Sequence, residues 1–214
     1  MLINTMESGE FLPTKGYCFS VLEQDDMEES IHPNDCIDLK AEPKLDDKLS
    51  ESTTHPIQYS WNVYYHLPQE KKWTVDSYVP IYKNIKTVEE LVMVNENISD
   101  NAIRYCMLFV MKTGITPMWE DVANRNGGCF SYKVLNKVVP DVWRTLMYLL
   151  CGNSLTKNSL YMNNVNGITI SPKKNFSIVK IWMKDCSLQD PEIIETIPNL
   201  VKNGCVFRKH EPEF

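Results

Sequence analysis

Two short apolar segments separated by a four-residue turn constrain the fold of this chain more than any other feature. The first segment, 166–171, opens with Asn166-Gly167, the turn is Pro172-Lys173-Lys174-Asn175, and the second segment, 176–183, reads FSIVKIWM. Both segments are rich in the β-branched and aromatic residues that strands favour, so the pair predicts a β-hairpin. Because a hairpin joins neighbouring antiparallel strands, we expect an antiparallel sheet.

Further strands and helices are indicated by the same kind of pattern. Strands are predicted at 59–67, 76–85, 105–112, 129–135 and 205–208. Helices are predicted at 87–97, where Thr87 and Glu90 have the spacing of a capping box, at 141–151 before Gly152, and at 191–201. Hairpins mixed with separate helices predict an α+β fold, with an antiparallel sheet backed by helices on one face.

The charge of the chain divides it into two regions. Residues 1–54 hold 13 acidic residues against four lysines, whereas the remaining 160 residues hold 15 acidic and 18 basic residues. The first region is polar and lacks sustained periodicity, so we expect it to be largely flexible, with one domain at 55–214. A mildly basic domain suits contact with phosphate, although an acidic tail is equally explained as a solubilising appendage.

Several classes of protein are disfavoured by the sequence. Seven widely spaced cysteines without a C-x-x-C pair argue against a disulfide scaffold and a zinc site, and favour reduced thiols in the cytoplasm or nucleus. No apolar run approaches the roughly 20 residues of a membrane span, and the N-terminus lacks the pattern of a secretory signal. No P-loop, nucleophile set or metal cluster is present, so neither an enzyme nor a bound cofactor is expected.

The five tryptophans fall into different sequence environments. Trp61 and Trp143 lie in strand and helix patterns typical of a core, and Trp182 ends an apolar strand, where core and pocket are both open. Trp73 follows two lysines, and Trp119 precedes two acidic residues. Large rings in polar loops more often serve recognition than packing, so Trp73 and Trp119 are candidate binding residues.

Two such rings can hold a flat base between them. Stacking on aromatic side chains contributes about 1–3 kcal/mol per base, and a positively charged ring adds about 0.5–2 kcal/mol by cation–π attraction. Methylation at N7 gives guanine such a charge. Glu120 beside the stack can accept two hydrogen bonds from N1–H and the exocyclic amine of guanine, a donor pair that adenine lacks. The pattern therefore favours a pocket for a positively charged purine.

A series of motifs has the order and spacing of one protein family. The motifs are His55-Pro56-Ile57-Gln58 with Trp61, Lys72-Trp73, Thr87-Val88-Glu89-Glu90, the segment 114–121 (GITPMWED), Asn126-Gly127-Gly128, and the later Trp143, Gly152 and Trp182. They resemble the eukaryotic translation initiation factor 4E family, the mRNA cap-binding proteins, over about 55–208. The resemblance implies a curved antiparallel sheet of about eight strands, three helices on its convex face and a cap slot on its concave face.

The resemblance also implies a role for each pocket residue. Trp73 and Trp119 would sandwich the 7-methylguanine. Glu120 would read the Watson–Crick edge of the base, and the backbone N–H of Trp119 would meet O6. Trp182 would line the pocket beside the N7-methyl group.

The cations expected around the cap triphosphate match the family only in part. Lys173 falls at the position of one family cation, but Asn175 and Ile178 replace two lysines, and Cys129 replaces an arginine. Strand alternation places Lys180 on the face of Trp182 and makes it a candidate that the family motif does not name. The remaining candidates for phosphate binding are Lys174 and Arg125.

The surface implied to bind partner proteins also departs from the family. In the family, the helix that corresponds to the one starting at Thr87 presents a tryptophan to a Y-x-x-x-x-L-Φ helix of scaffold and repressor proteins. Val92 occupies that position here, and Arg144 stands where the family usually has leucine. Other positions of the surface match the family, namely His55, Pro56, Val88 and Gly152. We therefore expect weak binding of the usual partner or binding of a different one.

The leading hypothesis is a monomeric protein that binds capped mRNA in translation initiation, with the cytoplasm as its first expected compartment and the nucleus as the second. One alternative is a cap-binding repressor, or a viral or protist cap binder, that does not use the usual scaffold. A cap-processing enzyme is a second alternative, but Glu89-Glu90 alone is not the glutamate-rich metal-binding helix of decapping hydrolases. A third is a domain that has lost cap binding, against which the presence of Trp73, Trp119 and Glu120 argues.

Overall fold

An antiparallel sheet with helices packed on one face forms the described part of the chain. The computed structural model describes residues 54–66, 70 and 73–213. The predicted flexible region 1–54 lies, except for Thr54, outside these residues. The strands are β1 Pro56–His66, β2 Tyr78–Thr87, β3 Met107–Lys112, β4 Gly128–Leu135, β5 Val165–Pro172, β6 Phe176–Met183 and β7 Val206–Lys209. The helices are α1 Val88–Asn97, α2 Asp100–Tyr105 and α3 Val139–Cys151.

The strand order confirms the predicted α+β class. The sheet runs β2-β1-β3-β5-β6-β4-β7, and every neighbouring pair is antiparallel. The described residues form seven strands, where the sequence predicted about eight. The predicted hairpin is β5–β6, with Pro172 opposite Ser177 at its turn. The curved sheet carries its helices on one side, which we call the helix face, and the other side is the open face.

The helix face carries the larger core. Alternate residues of each strand point to it, such as Trp61 and Val63 on β1, and they pack against α1 and α3. Trp143 of α3 is fully buried there, as the sequence predicted for Trp61 and Trp143. The intervening residues of the same strands face the opposite side, and this alternation fixes which side chains can meet a ligand on the open face.

The helix ends follow their capping signals. The backbone N–H of Glu90 donates to Thr87 Oγ1 at 3.2 Å and the N–H of Thr87 donates to Glu90 Oε2 at 3.1 Å, which confirms the predicted capping box. The short helix α2 was not predicted; Ser99 caps it by accepting from the N–H of Ala102 at 3.1 Å. No helix in the described part of the chain is long and apolar enough to cross a membrane.

The helix predicted at 191–201 is not present, and this prediction was wrong. Only Pro191–Ile193 forms a single 3₁₀ turn. Pro198 explains the difference, because it has no N–H to donate and disfavours a helical conformation for Ile197. The segment instead crosses the helix face in an irregular path, and Ile194, Ile197 and Leu200 are buried in the core there.

Candidate functional site

A small aromatic cluster on the open face forms the floor of the candidate site. Its buried members are Tyr78, Phe109, Met111, Met118 and Trp182. Tyr78 of β2 meets Phe109 of β3 edge-to-face, with ring centroids 5.3 Å apart. Trp119 packs against this cluster from the loop after β3. The cluster therefore collects aromatic rings from three strands and one loop on the face that carries no helix.

The loop that carries Trp119 is held in shape by the side chain of Asp121. Its carboxylate accepts hydrogen bonds from the backbone N–H of Thr116 and of Ala123, both at 2.8 Å. Its backbone carbonyl accepts from the N–H of Asn124 at 2.8 Å and of Arg125 at 2.9 Å. Asp121 thus closes the loop on both sides of Trp119 and Glu120 and fixes the direction of their side chains.

A buried asparagine ties the same loop to the sheet. Asn124 is fully buried, and its Nδ2 donates to the carbonyl oxygens of Thr116 and Met118, both at 2.9 Å. Nδ2 of Asn166, at the start of β5, donates to Asn124 Oδ1 at 2.9 Å and to the carbonyl of Ala123 at 2.8 Å. Satisfied buried amides of this kind give a loop one preferred conformation.

The Gly127-Gly128 pair allows β4 to begin close to its neighbours. A Cβ atom on Gly127 would lie 1.9 Å from the carbonyl oxygen of Met183. A Cβ atom on Gly128 would lie 2.6 Å from the carbonyl oxygen of Arg208. Only glycine fits at both positions, so the pair sets where the Trp119 loop ends and the strand starts.

Trp119 and Glu120 lie beside the C-terminal end of the described chain. The Trp119 ring stacks on His210, with centroids 5.7 Å apart and planes 16° from parallel. Glu120 Oε1 accepts from the backbone N–H of Glu213 at 3.4 Å. Burial raises the pKa of the Tyr78 hydroxyl, and the negative charge of Glu120 raises it further, so the carboxylate lies near the floor of the site.

Trp73 lies over the same cluster from the opposite side. It is 53% exposed, and one face of its ring stacks on His66, with centroids 4.2 Å apart and planes 14° from parallel. Its ring is also tilted against Tyr78 at 6.2 Å. The two loop tryptophans therefore border one aromatic floor, and each of them stacks on a histidine.

Trp182 belongs to the floor itself and is only 4% exposed. Its Nε1–H donates to Thr169 Oγ1 at 2.6 Å, which orients the indole on β6. Its ring is tilted against His210, with centroids 4.9 Å apart. The sequence was compatible with Trp182 either in the core or in a binding pocket. In the structure both descriptions apply, because Trp182 is buried and belongs to the open-face cluster against which Trp119 packs.

His210 connects the two tryptophans and the loop. Its Nδ1 lies 2.7 Å from the carbonyl oxygen of Asn124, so the Nδ1–H donates and Nε2 carries the lone pair of the neutral ring. Nε2 is buried and has no hydrogen-bond partner. Burial lowers the pKa of His210; the charge of Lys180 lowers it as well, and the Asn124 contact and Glu120 raise it. The ring is therefore held neutral beside the site.

The candidate phosphate-binding cations lie at different distances from this floor. Lys173 and Lys174 form the turn of the β5–β6 hairpin, where their carbonyl oxygens accept from Asn136 Nδ2. Lys180 lies on β6 two residues before Trp182, on the same face. Arg125 is exposed in the Trp119 loop. Of the four, Lys180 is the one whose charge reaches His210.

The predicted partner-binding residues lie on the helix side of the molecule. His55 Nδ1 contacts Glu89 Oε1 at 2.7 Å, a hydrogen bond that lowers the pKa of Glu89 to about 2. Two valines of α1, Val88 and Val92, are both about two-fifths exposed. The neighbouring positions are Pro56 at the start of β1, which is exposed, and Gly152 at the end of α3.

Arg144 does not extend from this surface into solvent. Its guanidinium donates to the carbonyl oxygens of Asn95 and Ile98, the second at 3.0 Å, and to Asp100 Oδ1 at 2.9 Å. The residue therefore joins α3 to the end of α1 and the start of α2. Sequence reasoning considered Arg144 only as a change on a binding surface.

Several residues of the site were not predicted from the sequence. His66 lies in the predicted strand 59–67, and strand alternation, which puts it on the face opposite Trp61, is the signal that could have found it. Tyr78 was included in a strand without a role. His210 carried no local signal, because its partner Asn124 lies 86 positions away in the chain. Asn124 binds Thr116 and Met118 within its own loop, but no motif in the sequence analysis named it. Among the described residues, no group of histidine, cysteine, aspartate and glutamate could hold a metal ion.

Together, the curved sheet and the aromatic floor on its open face define a class of α+β domain with a concave binding surface. The sequence profile of one family, described as eukaryotic initiation factor 4E, matches residues 56–211. This match covers most of the chain, and the chain belongs to the eukaryotic initiation factor 4E family.

Individual relatives agree with this assignment at low identity. Eukaryotic translation initiation factor 4E of Candida albicans is 25% identical over 194 residues, which cover 82% of this chain and 85% of that protein. The eukaryotic translation initiation factor 4E homolog of Acanthamoeba polyphaga mimivirus is 36% identical over 87 residues, 41% of this chain and 29% of the viral protein. The chain thus spans less than a third of the viral relative.

A solved structure supports the fold. The crystal structure of schistosome eIF4E, complexed with m7GpppG and 4E-BP, superposes with a TM-score of 0.57 and 24% sequence identity. The match covers 63% of this chain and 74% of that one. At this identity, the superposition establishes the shared architecture.

Proposed function

We propose that this protein binds the 7-methylguanosine cap at the 5′ end of mRNA and acts in translation initiation, in the cytoplasm. One observation carries the proposal: Trp73, Trp119, Glu120 and Trp182 converge on a single aromatic floor on the open face of a 4E-family sheet. The ligand of the schistosome structure, m7GpppG, contains this cap. The proposed role is binding without catalysis.

The base is recognised in this proposal by two indole faces. Trp73 has one face against His66 and about half of its surface exposed, so its other face is free for a base. Trp119 is backed in the same way by His210. A ring already supported on one side loses less conformational entropy when a base stacks on the other, so the pair of histidines favours tight binding.

The carboxylate of Glu120 selects guanine in this proposal. It accepts from N1–H and the exocyclic amine of the base, and its charge offsets the positive charge that methylation places on the ring. In the free protein one of its oxygens accepts from the N–H of Glu213 at 3.4 Å, a long and exposed contact that a base can replace. Trp182 lines the pocket beside the N7-methyl group.

The phosphates of the cap need cations, and four candidates remain proposals: Lys173, Lys174, Lys180 and Arg125. Lys180 is supported best, because it lies on the open face with Trp182 and its charge lowers the pKa of His210. Lys173 and Lys174 are at the hairpin turn, and Arg125 is in the loop beside Glu120.

The experiment that tests the base pocket is quenching of tryptophan fluorescence. We expect 7-methyl-GTP to bind at least about fivefold more tightly than GTP, because cation–π attraction to two rings adds about 0.5–2 kcal/mol per face. Glu120→Gln should weaken 7-methyl-GTP binding by about tenfold or more. Glu96→Gln removes the same charge on the helix face and should leave affinity unchanged. Equal affinities for the methylated and unmethylated nucleotides would contradict the proposal.

A second candidate is a cap-binding repressor that does not recruit the usual scaffold. It is favoured by the helix face, where Val92 offers a small side chain and Arg144 is held by Asn95, Ile98 and Asp100. Neither residue offers the large apolar contact that anchors a docking helix. In this alternative the protein binds the cap in the same way but represses translation, because it does not recruit the scaffold protein.

A peptide pull-down separates the two candidates. An immobilised peptide with the Y-x-x-x-x-L-Φ motif should retain the wild-type protein poorly if the protein acts without the scaffold. Val92→Trp supplies the missing indole and should increase retention by about tenfold or more, since buried aromatic anchors contribute at least about 2 kcal/mol. Strong retention of the wild type would favour the initiation role.

A further inference from the structure

The register of three adjacent strands places two cations beside the aromatic floor. In the pairing of β6, β4 and β7, Trp182 lies opposite Cys129, and Cys129 lies opposite Arg208. In the next row, Lys180 lies opposite Ser131. Directly opposite residues have Cβ atoms about 4.5–5.5 Å apart, so Trp182, Cys129 and Arg208 form one short row across the sheet.

All of these side chains point to the open face. Val179 and Ile181 of β6, Phe130 of β4 and Phe207 of β7 pack into the core on the helix face. Successive residues of a strand alternate between faces, so Lys180, Cys129 and Arg208 lie on the opposite side with Trp182. The two cations thus share a surface with the base pocket.

The positive charges of Lys180 and Arg208 both act on the small side chain of Cys129, which lies between them. Burial raises the pKa of the Cys129 thiol, whereas the positive charges of Lys180 and Arg208 both lower it. Cys129 is buried and neutral, and it takes up little volume between the two longer side chains. Arg208 also lies 4.0 Å from Glu211, and both side chains of this pair are exposed.

We propose that Lys180 and Arg208, from β6 and β7, together bind the phosphate groups of the cap nucleotide on either side of Cys129. This inference rests on the proposed function, because it takes the base to lie on Trp182 and its neighbours. The guanidinium of Arg208 can donate two parallel hydrogen bonds to a phosphate group, and the ammonium of Lys180 adds a mobile point charge. A ligand with a 5′-phosphate is therefore preferred over the nucleoside.

Distance along the strand distinguishes this pair from the hairpin lysines. Lys180 is two residues from Trp182, or about 7 Å along β6, whereas the end of the hairpin at Phe176 is about 20 Å away. Lys173 and Lys174 lie beyond that end. The first phosphates that follow the base therefore meet Lys180 and Arg208 before any cation of the turn.

The test is a set of fluorescence titrations of the full chain with 7-methylguanosine, 7-methyl-GMP and 7-methyl-GTP. Arg208→Gln should weaken binding of the two phosphorylated ligands by about tenfold and leave the nucleoside unchanged. Binding of 7-methyl-GTP should also depend less on salt concentration in Arg208→Gln than in the wild type, because one attraction between opposite charges is lost. Arg208→Lys should recover part of the loss.

Lys209→Gln is the matched control, because it removes the same charge from the next residue of β7, on the other face. It should leave the ratio of triphosphate to nucleoside affinity at the wild-type value. A ratio that Arg208→Gln also leaves unchanged would overturn the inference, and so would an equal loss for nucleoside and triphosphate. Failure of the wild type to bind the nucleoside at all would instead contradict the proposed function.

Discussion

At the scale of single residues, two histidines define the site as much as the tryptophans do. His66 and His210 each lie against one indole, in planes within 16° of parallel. Offset-stacked aromatic pairs contribute about 0.5–1.5 kcal/mol beyond the area that they bury. This contribution holds each indole in place before a ligand arrives, and it makes both histidines positioning residues.

We expect His66→Ala to weaken binding of 7-methylguanosine by about two- to tenfold, because Trp73 loses the ring that fixes its orientation. Fluorescence titration measures the change, and circular dichroism checks that the variant is folded. His66→Phe keeps a ring at the position and should restore most of the affinity. Tighter binding by His66→Ala would show that His66 competes with the base for Trp73.

At the scale of secondary-structure elements, hydrogen bonds from Arg144 connect α3 to α1 and α2. The last carbonyl groups of a helix have no partner within it, and the guanidinium of Arg144 supplies donors to Asn95 and Ile98 at the end of α1. It also pairs with Asp100 in the first turn of α2. Asn95 Nδ2 donates in return to the carbonyl of Arg144 at 3.3 Å.

Arg144→Leu should lower the free energy of unfolding by about 1–3 kcal/mol, since it leaves carbonyl groups at the end of α1 without donors. Urea unfolding followed by circular dichroism measures the loss. Arg104→Leu is the matched control, because Arg104 makes an exposed pair with the same Asp100 at 3.4 Å. That change should cost no more than about 0.5 kcal/mol. Similar losses in the two variants would show that Arg144 contributes only a surface ion pair.

At the scale of the whole molecule, the C-terminal end of the described chain closes the site. His210 contacts Asn124 of the Trp119 loop, which is 86 positions away in the sequence. Its backbone N–H donates to the carbonyl of Gly127 at 3.0 Å. Lys180 and Glu120 are the charged groups that act on its ring. The site is therefore complete only when β7 has paired with β4 and brought His210 into place.

The depressed pKa of His210 gives stability a pH dependence. Below about pH 6.5 the unfolded chain binds a proton at this histidine, whereas the folded protein resists it, so the free energy of unfolding rises as the pH approaches about 6.5 from below and then levels off. The slope from one group is at most about 1.4 kcal/mol per pH unit. Urea unfolding across this range should show a smaller slope for His210→Gln. Parallel curves for variant and wild type would contradict the prediction.

Sequence patterns were sufficient to predict the strand alternation, the β5–β6 hairpin, the Thr87–Glu90 capping box and the family. The first three depend on residues that are neighbours in the chain, and the family is indicated by the order and spacing of short motifs along it. The helix predicted at 191–201 is absent, and Pro198 within the segment disfavours it because proline has no N–H to donate. A segment without regular secondary structure can still bury its apolar residues, as Ile194, Ile197 and Leu200 do in the core of this protein.

The residues that contact the candidate site residues become visible only in the folded protein. Trp73 and Trp119 could be selected from their polar surroundings. Their ring contacts depend on the fold, which places His66 and Tyr78 against Trp73 and brings His210, far along the chain, onto Trp119. Arg208 stands opposite Cys129 for the same reason, since strand register depends on the packing of the whole sheet. Contacts between residues far apart in the chain carry no local signal, and these contacts build the site.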